Sequence, residues 1–328
     1  MKNNKIRKYL LLISLFILLI SLNYIFAGSS ITGGITLKQT LGARPLGMGE
    51  AYISLADDIN SIFFNPAGLT KISVTEISAT YMNNIADTFY TFVGAAIPIN
   101  RLQTNLDIGM STLGISLFVL SGGKMEVNYP DGSTETICPQ TDYLGIVSYS
   151  YQLLHNLSIG GNIKFLSSTL AQQVSAYTFA LDIGAIYNRL LFDELSTGVV
   201  VKNMGLPLKF EKESDNLPLQ GSIGLTYNLI CDKSNKFIFS IDVSKDLDTP
   251  LHLNCGTEYN YKVSKKETFS LRLGYKFGYE LDGLTGGLGV QSDMYSLDYA
   301  FNLKSTLPTN HIFSVTIYLG KIPEKEID

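Results

Sequence analysis

The chain has 328 residues, of which 45% are hydrophobic and only 16% are charged, and its formal net charge is −4. Ordinary soluble domains contain about 25% charged residues, so this composition does not fit a domain with a fully water-exposed surface. The 19 Tyr and 17 Phe make the chain too aromatic to be disordered. Lys and Arg do not cluster, which excludes a nucleic-acid partner.

Residues 1–27 have the three regions of a secretory signal peptide. A positive head is followed by an apolar run and a small residue at the cleavage position: Lys2, Lys5, Arg7, Lys8, then Tyr9 to Leu22, then Ile25-Phe26-Ala27. We predict cleavage after Ala27; an uncleaved anchor helix is the alternative, disfavoured by the short apolar core. Removing the four basic residues of this leader changes the net charge from −4 to −8.

Past the leader, no apolar stretch reaches the roughly 20 residues that a membrane-spanning helix needs. Instead, segments of about 10 residues with period-2 alternation are separated by short polar breaks. We predict fourteen strands, over 73–82, 87–98, 108–121, 142–153, 157–168, 174–188, 195–203, 218–229, 236–245, 251–262, 267–278, 283–291, 294–302 and 310–319.

Alternation assigns two faces to each strand. In 174–188, 267–278 and 294–302, large apolar residues occupy one face, while Gly, Ser, Asn and single charges occupy the other. A soluble sandwich would have the opposite arrangement, with abundant charge outside. The sequence therefore predicts a transmembrane, all-β, antiparallel outer-membrane barrel of about fourteen strands. Its polar lumen-facing residues are predicted to be Lys164, Asp182, Asp242, Glu258, Arg272, Lys276 and Asp298. They are expected either to line a ligand path or to form charge pairs that stiffen the wall.

Tyrosines recur near the strand ends, as in the interfacial belts of outer-membrane barrels. The two longest breaks, 122–141 and 204–217, both follow odd-numbered strands, whereas breaks after even-numbered strands are mostly short. Long extracellular loops and short periplasmic turns show this parity. We therefore expect a bacterial outer-membrane location in contact with lipid, with both termini in the periplasm.

Residues 28–72 do not alternate and are rich in Gly and Pro. A barrel of about fourteen strands leaves a wide lumen, and this segment is well sized to fill it as a hatch, followed by the barrel at 73–320 and a tail at 321–328. Asn65-Pro66 has the pattern of a helix N-cap followed by Pro at the first helical position. The residues expected to anchor the hatch are Gly42, Arg44, Gly47, Gly49, Asp57, Asp58, Asn65 and Pro66.

Catalytic, metal and cofactor sites are not expected. The three cysteines are far apart and lack CxxC spacing. His252 is the sole candidate base for a hydrolase, and it has no evident nucleophile or carboxylate partner. Asp57-Asp58 is expected to cap a turn or to pair with Arg44 rather than to act on a substrate.

The stretch from Gly42 to Leu69, GARPLGMGEAYISLADDINSIFFNPAGL, resembles the N-terminal signature of the PorV/PorQ family, within the group of FadL-type outer-membrane barrels. Pieces at 201–208, 271–290 and 295–301 are similar as well. The resemblance implies a fourteen-stranded barrel closed by an N-terminal hatch. One departure is the end of the chain, which runs past Leu319-Gly320 into KIPEKEID instead of ending on an aromatic strand residue.

The resemblance implies two functions, neither of them enzymatic. A PorV-like barrel captures secreted proteins, or components of a type IX secretion machinery, through loops 122–141 and 204–217. A FadL-like barrel takes up hydrophobic small molecules, and its hatch rearranges to release them.

Overall fold

The computed structural model describes residues 32–39, 41–84, 87–99, 109–264 and 266–320. The predicted signal peptide, its cleavage after Ala27 and the tail at 321–328 lie outside the described residues. Four short helices and eighteen strands make up the described part of the chain. The helical turns are Ile35–Lys38, Ala43–Gly47, Ser61–Phe64 and Pro66–Lys71.

The strands follow in chain order. They are β1 (Thr75–Asn83), β2 (Phe89–Pro98), β3 (Ser111–Ser121), β4 (Met125–Asn128), β5 (Thr134–Ile137), β6 (Gln140–Leu154), β7 (Leu157–Leu170), β8 (Val174–Tyr187), β9 (Leu195–Gly205), β10 (Leu208–Phe210), β11 (Glu213–Asp215), β12 (Gln220–Ile230), β13 (Asn235–Asp246), β14 (Leu251–Lys262), β15 (Thr268–Phe277), β16 (Asp282–Gln291), β17 (Tyr295–Lys304) and β18 (Asn310–Leu319).

Fourteen of these strands form one closed antiparallel barrel, in which each pairs with its neighbours in sequence and β1 pairs with β18. The remaining four form two separate hairpins, β4–β5 and β10–β11. Each barrel strand overlaps one of the fourteen predicted segments, so the predicted fold class and strand count are confirmed. No helix in the described ranges is long and apolar enough to cross a membrane.

The burial pattern of the strands follows the predicted alternation. In β8, Tyr177 and Ile183 point outward and are 61% and 62% exposed, while Thr178 and Asp182 point inward and are buried. Apolar side chains on the outside of a barrel are stable in lipid but not in water. This surface therefore fits a membrane environment.

The two ends of the barrel differ. One, called here the long-loop end, carries the segments 122–139 and 206–219 with their hairpins, while the other has tight turns such as 155–156 and 231–234. This difference agrees with the predicted parity of loop lengths. The break predicted at 99–107 lies mostly outside the described residues.

The first described residues lie at the long-loop end. Thr32 and Lys38 contact Asp248, in the connection between β13 and β14, while β18 ends at Leu319, at the opposite end. The expectation that both termini lie in the periplasm stays a prediction, because residues 28–31 and 321–328 are outside the described residues.

Residues 41–74, called here the inner segment, run through the lumen from residue 41 to the start of β1. Their apolar side chains are among the most buried in the protein: Leu41, Met48, Tyr52, Ile62 and Leu69 are all fully enclosed. The hydrophobic core of this barrel therefore lies between the inner segment and the wall, rather than between two layers of sheet.

Candidate functional site

Glycines on the inward face of the wall let the backbone of the inner segment approach the strands closely. A Cβ added to Gly274 would overlap the amide nitrogen of Gly49, and one added to Gly256 would overlap the carbonyl oxygen of Met48. Gly256 and Gly274 stand opposite each other in the β14–β15 ladder. Glycine is needed at such positions because any side chain would occupy the space of the facing backbone.

The same arrangement recurs around the barrel. A Cβ on Gly198 would lie 2.6 Å from the carbonyl oxygen of Ile53, and one on Gly160 would lie 2.5 Å from the amide nitrogen of Ala67. We call this set of inward glycines the glycine belt, and it comprises Gly160, Gly184, Gly198, Gly224, Gly256 and Gly274. Its members form three cross-strand pairs, Gly160–Gly184, Gly198–Gly224 and Gly256–Gly274.

Asn65 joins the inner segment to the wall at the belt. Its Nδ2 donates to the carbonyl oxygens of Ile53 at 3.0 Å, Ala185 at 3.2 Å and Val199 at 3.3 Å. Its Oδ1 accepts from the amide of Ala67 at 3.2 Å, which caps the short 3₁₀ helix that begins at Pro66. One amide thus orients the helical turn and binds two wall strands.

Arg44 is the centre of an ion-pair network between the inner segment and β14. Its Nη1 lies 2.6 Å from Asp57 and 3.0 Å from Asp58, and its Nε lies 2.9 Å from Glu258. Glu258 also bonds Arg272 at 2.6 Å. The structure therefore brings together Arg44, Asp57 and Asp58 from the predicted hatch residues with Glu258 and Arg272 from the predicted lumen-facing set.

The pKa values of the two neighbouring carboxyl groups of this network, Asp57 and Asp58, shift in opposite directions. Burial acts to raise the pKa of both, and the charge of Arg44 acts to lower it. The pKa of Asp57 ends below its ordinary value, whereas that of Asp58, next to the negative charge of Asp57, ends above its own. Of the two, Asp58 is thus the easier to protonate.

Further charge pairs connect the other predicted lumen-facing residues. Lys276 lies 2.9 Å from Glu50 and 2.8 Å from Asp282. Lys164 lies 2.7 Å from Asp182, and Arg272 lies 2.6 Å from Asp298. Each of these lumen-facing charges therefore has a partner of opposite sign within 3 Å.

Asp242 differs from the other charged residues of the predicted set. Its Oδ2 accepts from the amide of Ile53 at 2.7 Å, while its Oδ1 has no hydrogen-bond partner. It holds the inner segment through the backbone rather than through a salt bridge.

Three of the predicted hatch glycines lie at the helical turn Ala43–Gly47. Gly42 precedes the turn, Gly47 ends it and Gly49 follows it, and both Gly42 and Gly49 have positive φ.

A second group of contacts holds residues 32–39, called here the strap, across the long-loop end. Lys38 Nζ lies 2.6 Å from Asp248, and Thr36 donates to Asp142. The amide of Gly33 donates to the carbonyl oxygen of Asn216 at 2.9 Å. The strap thus binds both the β13–β14 connection and the loop that carries the β10–β11 hairpin.

Sequence reasoning missed several of these groups. Glu50, Asp142, Asp248 and Asp282 carry ion pairs or hydrogen bonds and were not singled out. The glycine belt had a visible signal, because the polar faces of successive predicted strands repeat glycine. The contacts of Glu50 with Lys276 and of Asp248 with Lys38 had no visible signal in the sequence, because each joins residues more than 200 positions apart.

The lumen has two chemically different sides. Around β1–β3, β6 and β7, buried apolar residues line its long-loop half: Met82, Tyr90, Phe92, Phe118, Leu120, Leu144 and Leu166. Around β13–β17 the inward residues are mostly polar or charged: Asp242, His252, Asn254, Glu258, Arg272, Lys276 and Asn302. Phe63 of the inner segment faces the apolar side, with its ring 5.2 Å from that of Phe92, whereas Arg44 faces the charged side.

A closed antiparallel barrel with an apolar outer surface, a filled lumen and long loops at one end defines an integral outer-membrane β-barrel protein. The chain belongs to the PorV family, because the family model described as "Type IX secretion system protein PorV" matches residues 29–252. No curated protein sequence matches the chain significantly.

Solved structures with similar folds are FadL-type barrels. The toluene transporter TodX of Pseudomonas putida aligns with a TM-score of 0.58 at 11% identity, covering 89% of this chain and 98% of TodX. The toluene transporter TbuX of Ralstonia pickettii gives 0.59 at 12% identity, covering 85% and 98%. A FadL homologue of Pseudomonas aeruginosa gives 0.54 at 12% identity, covering 89% and 99%. At these identities the likeness concerns the fold.

Proposed function

We propose that this barrel binds secreted proteins, or components of their secretion machinery, at the outer surface of the outer membrane and passes them on without a covalent reaction. The observation that carries the proposal is the filled lumen. The inner segment meets the wall through the glycine belt, Asn65 and the Arg44 network, which leaves the loops as the surface where a protein partner can bind.

The two long loops differ in availability. The β4–β5 hairpin stands away from the barrel, and nearly all its residues are exposed, including Met125 and Tyr129. In the other loop Leu208 and Leu217 are buried, so the β10–β11 hairpin packs into the barrel mouth. We assign cargo binding to the β4–β5 hairpin and closure of the mouth to the β10–β11 hairpin, with the long-loop end facing outward and the short turns in the periplasm.

In this proposal the inner segment is a hatch and the leader is removed after Ala27. The hatch keeps the barrel impermeable while cargo is held at the loops. Membership in the PorV family supports a secretion role, and the paired lumen charges support a rigid wall over a charged ligand path.

The experiment is a pull-down from gently solubilised outer membranes with mass spectrometry of the co-purifying proteins. We expect secreted proteins that share a C-terminal domain, or large secretion components, with the native chain. Replacing residues 125–137 by a short Gly/Ser turn should abolish that recovery. A matched change in the short-turn loop 188–194 should leave it intact. Loss of recovery with both variants, or with neither, contradicts the assignment to the hairpin.

A second function is supported by the apolar side of the lumen. Uptake of hydrophobic small molecules would use the buried ring cluster formed by Phe63, Phe92, Phe118 and Tyr90. Lys202 Nζ donates to the carbonyl oxygen of Phe63 at 3.5 Å and lies 5.9 Å from the ring centroid of Phe64. Recovery of the barrel alone with bound lipid or fatty acid would favour this function, and Phe118→Ala should then reduce the amount of ligand bound.

A further inference from the structure

The β4–β5 hairpin is a small sheet with two open edges. It connects β3 to β6 but pairs with neither, and among the described residues its two strands pair only with each other. The barrel ladder below it ends at Gly122, whose amide donates to the carbonyl oxygen of Gln140 at 2.7 Å. Gly123 then turns the chain away with a positive φ of 77°. The hairpin can therefore gain a further strand without disturbing the barrel.

Hydrogen bonding at the hairpin turn shows which main-chain groups are free. The amide of Tyr129 donates to the carbonyl oxygen of Ser133 at 2.9 Å, so these two residues form a hydrogen-bonded pair. Bonded and non-bonded pairs alternate along an antiparallel ladder. Counted from the turn, Thr134 and Thr136 belong to non-bonded pairs with β4. Their N–H and C=O groups therefore point to the open edge of β5.

The edge of β5 is better suited to a further strand than the edge of β4. Its sequence is Thr-Glu-Thr-Ile, which is rich in β-branched residues and has no Pro, Lys or bulge, the devices that commonly keep an exposed edge unpaired. At the edge of β4, Glu126 and Asn128 occupy the corresponding positions. Both residue types are depleted in strands. Edge pairing is thus favoured at β5.

The faces of the hairpin define which side chains a further strand would carry. Cross-strand partners share a face, so Met125, Val127, Glu135 and Ile137 lie on the same side of the hairpin. Met125 is 46% exposed, and Val127 and Ile137 are half-buried. A strand added to β5 would place one side chain beside Ile137 and another, two residues along, beside Glu135. An apolar side chain fits the first position.

The charge of the hairpin determines which side chain fits beside Glu135. Residues 124–137 contain three carboxylates and one ammonium group, a net charge of 1 − 3 = −2: Lys124, Glu126, Asp131 and Glu135. Glu135 accepts a hydrogen bond from the Tyr129 hydroxyl at 2.7 Å but forms no ion pair with a described Lys or Arg. A Lys or Arg on the added strand would supply the missing charge, whereas a second copy of this acidic hairpin would be repelled.

We propose that β5 accepts an extended segment of a secreted protein as a third strand of the hairpin sheet, with a Lys or Arg beside Glu135 and an apolar side chain beside Ile137. Main-chain hydrogen bonds to Thr134 and Thr136 give affinity, and the two side-chain positions give selectivity. Secreted proteins that differ in sequence can then share one binding edge. This inference rests on the proposed function and names the part of the cargo that is bound.

Hydrogen exchange of the native barrel in nanodiscs tests the edge with a defined probe. The probe is the synthetic peptide TVTKTVT, which places Val and Lys on one face, and its counterpart TVTETVT carries Glu instead of Lys. Excess TVTKTVT should slow exchange of the Thr136 amide several-fold and leave the Glu126 amide, on the edge of β4, unchanged. TVTETVT should protect Thr136 much less. Equal protection of the two edges, or none at Thr136, overturns the proposal.

A variant test separates main-chain pairing from side-chain contact. Thr136→Pro removes an amide that points to the open edge and leaves the β4–β5 ladder its own bonds. Thr136→Ala keeps that amide, and Glu126→Pro removes one from the edge of β4. In the pull-down from outer membranes, we expect Thr136→Pro to lose the secreted proteins and both controls to retain them. Heat-modifiable gel migration and slow exchange of the Val127 amide show that barrel and hairpin are intact.

The outcomes distinguish this inference from the proposed function. If replacement of residues 125–137 abolishes recovery but Thr136→Pro does not, strand addition is refuted and binding at the hairpin stands. If Thr136→Pro and Glu126→Pro lose recovery equally, pairing specific to the edge of β5 is refuted. If the native chain recovers no secreted protein, the proposed function fails and the inference fails with it.

Discussion

Gly274→Ala tests whether close backbone contact holds the inner segment against the wall. The added Cβ would overlap Gly49 N and lie 2.5 Å from the carbonyl carbon of Met48 and 2.6 Å from Gly49 Cα. These distances fall about 1 Å short of the optimum for non-bonded carbon atoms. Both facing groups are backbone, so the strain cannot be relieved by rotating a side chain, and the inner segment must move away.

Overpacking of this kind costs about 1–3 kcal/mol. If the native seated state loses that much relative to a displaced state, the displaced population rises about 5- to 150-fold. Gly256 faces the same stretch of backbone. A second substitution there should therefore destabilise the native position of the inner segment less than the first, because one displacement relieves the strain from both added Cβ atoms.

The assay is hydrogen exchange of the amides of residues 41–74, together with single-channel conductance in planar bilayers. We expect faster exchange and more frequent openings in the Gly274→Ala variant. The matched control is Gly221→Ala, where a Cβ meets nothing within 4 Å. If both alanine variants exchange and conduct like the native barrel, the glycine belt does not hold the inner segment and the reasoning is refuted.

Three further predictions concern the polar contacts. Arg44→Met removes one of the cations that bind Glu258, whose side chain is only 1% exposed. The variant should weaken binding of the inner segment to the wall by about 3 kcal/mol, and we expect a lower thermal unfolding temperature. Asn65→Ala with Pro66→Ala removes the bonds to the wall and a helix cap, about 2 kcal/mol together, and should raise passive conductance; unchanged conductance would contradict a plug held by this corner. Burial raises the pKa of Asp248, but hydrogen bonds from the strap outweigh it, so that this pKa lies below its ordinary value. The strap contact should therefore persist at neutral pH and be lost as the pH falls below about 4, and in Asp248→Asn residues 33–38 should exchange fast at every pH.

The barrel could be predicted from sequence because lipid imposes a rule on every strand. An outward residue must be apolar whatever its neighbours are, so alternation in β8 or β15 is visible in isolation. The strand count then follows from the number of alternating segments. Which way the chain enters the lumen was not visible, because the strap is placed by its contacts with loops far along the sequence, such as Lys38 with Asp248.

Contacts in the candidate site were easier to predict from sequence when the two residues lie close together along the chain. Arg44 and Asp57 are thirteen residues apart, and their opposite charges in one compact segment suggested a pair. The bond between Lys276 and Glu50 spans 226 residues and depends on how the inner segment is rotated in the barrel. Glu50 has a positive φ of 62°, a conformation that its sequence position after Gly49 does not reveal.

Displacing the inner segment would break different kinds of contact on the two sides of the lumen. On the charged side, moving the segment would take Arg44 away from Glu258 and Glu50 away from Lys276, and leaving buried charges with fewer partners is costly. On the apolar side, separation breaks dispersion contacts around Phe63 and Phe92 and leaves no charge uncompensated. A displacement that pivots about the Arg44 network and opens along β3 and β6 therefore costs less than one that lifts the whole segment. Loosening of the apolar side should precede loss of the ion pairs in any opening of this barrel.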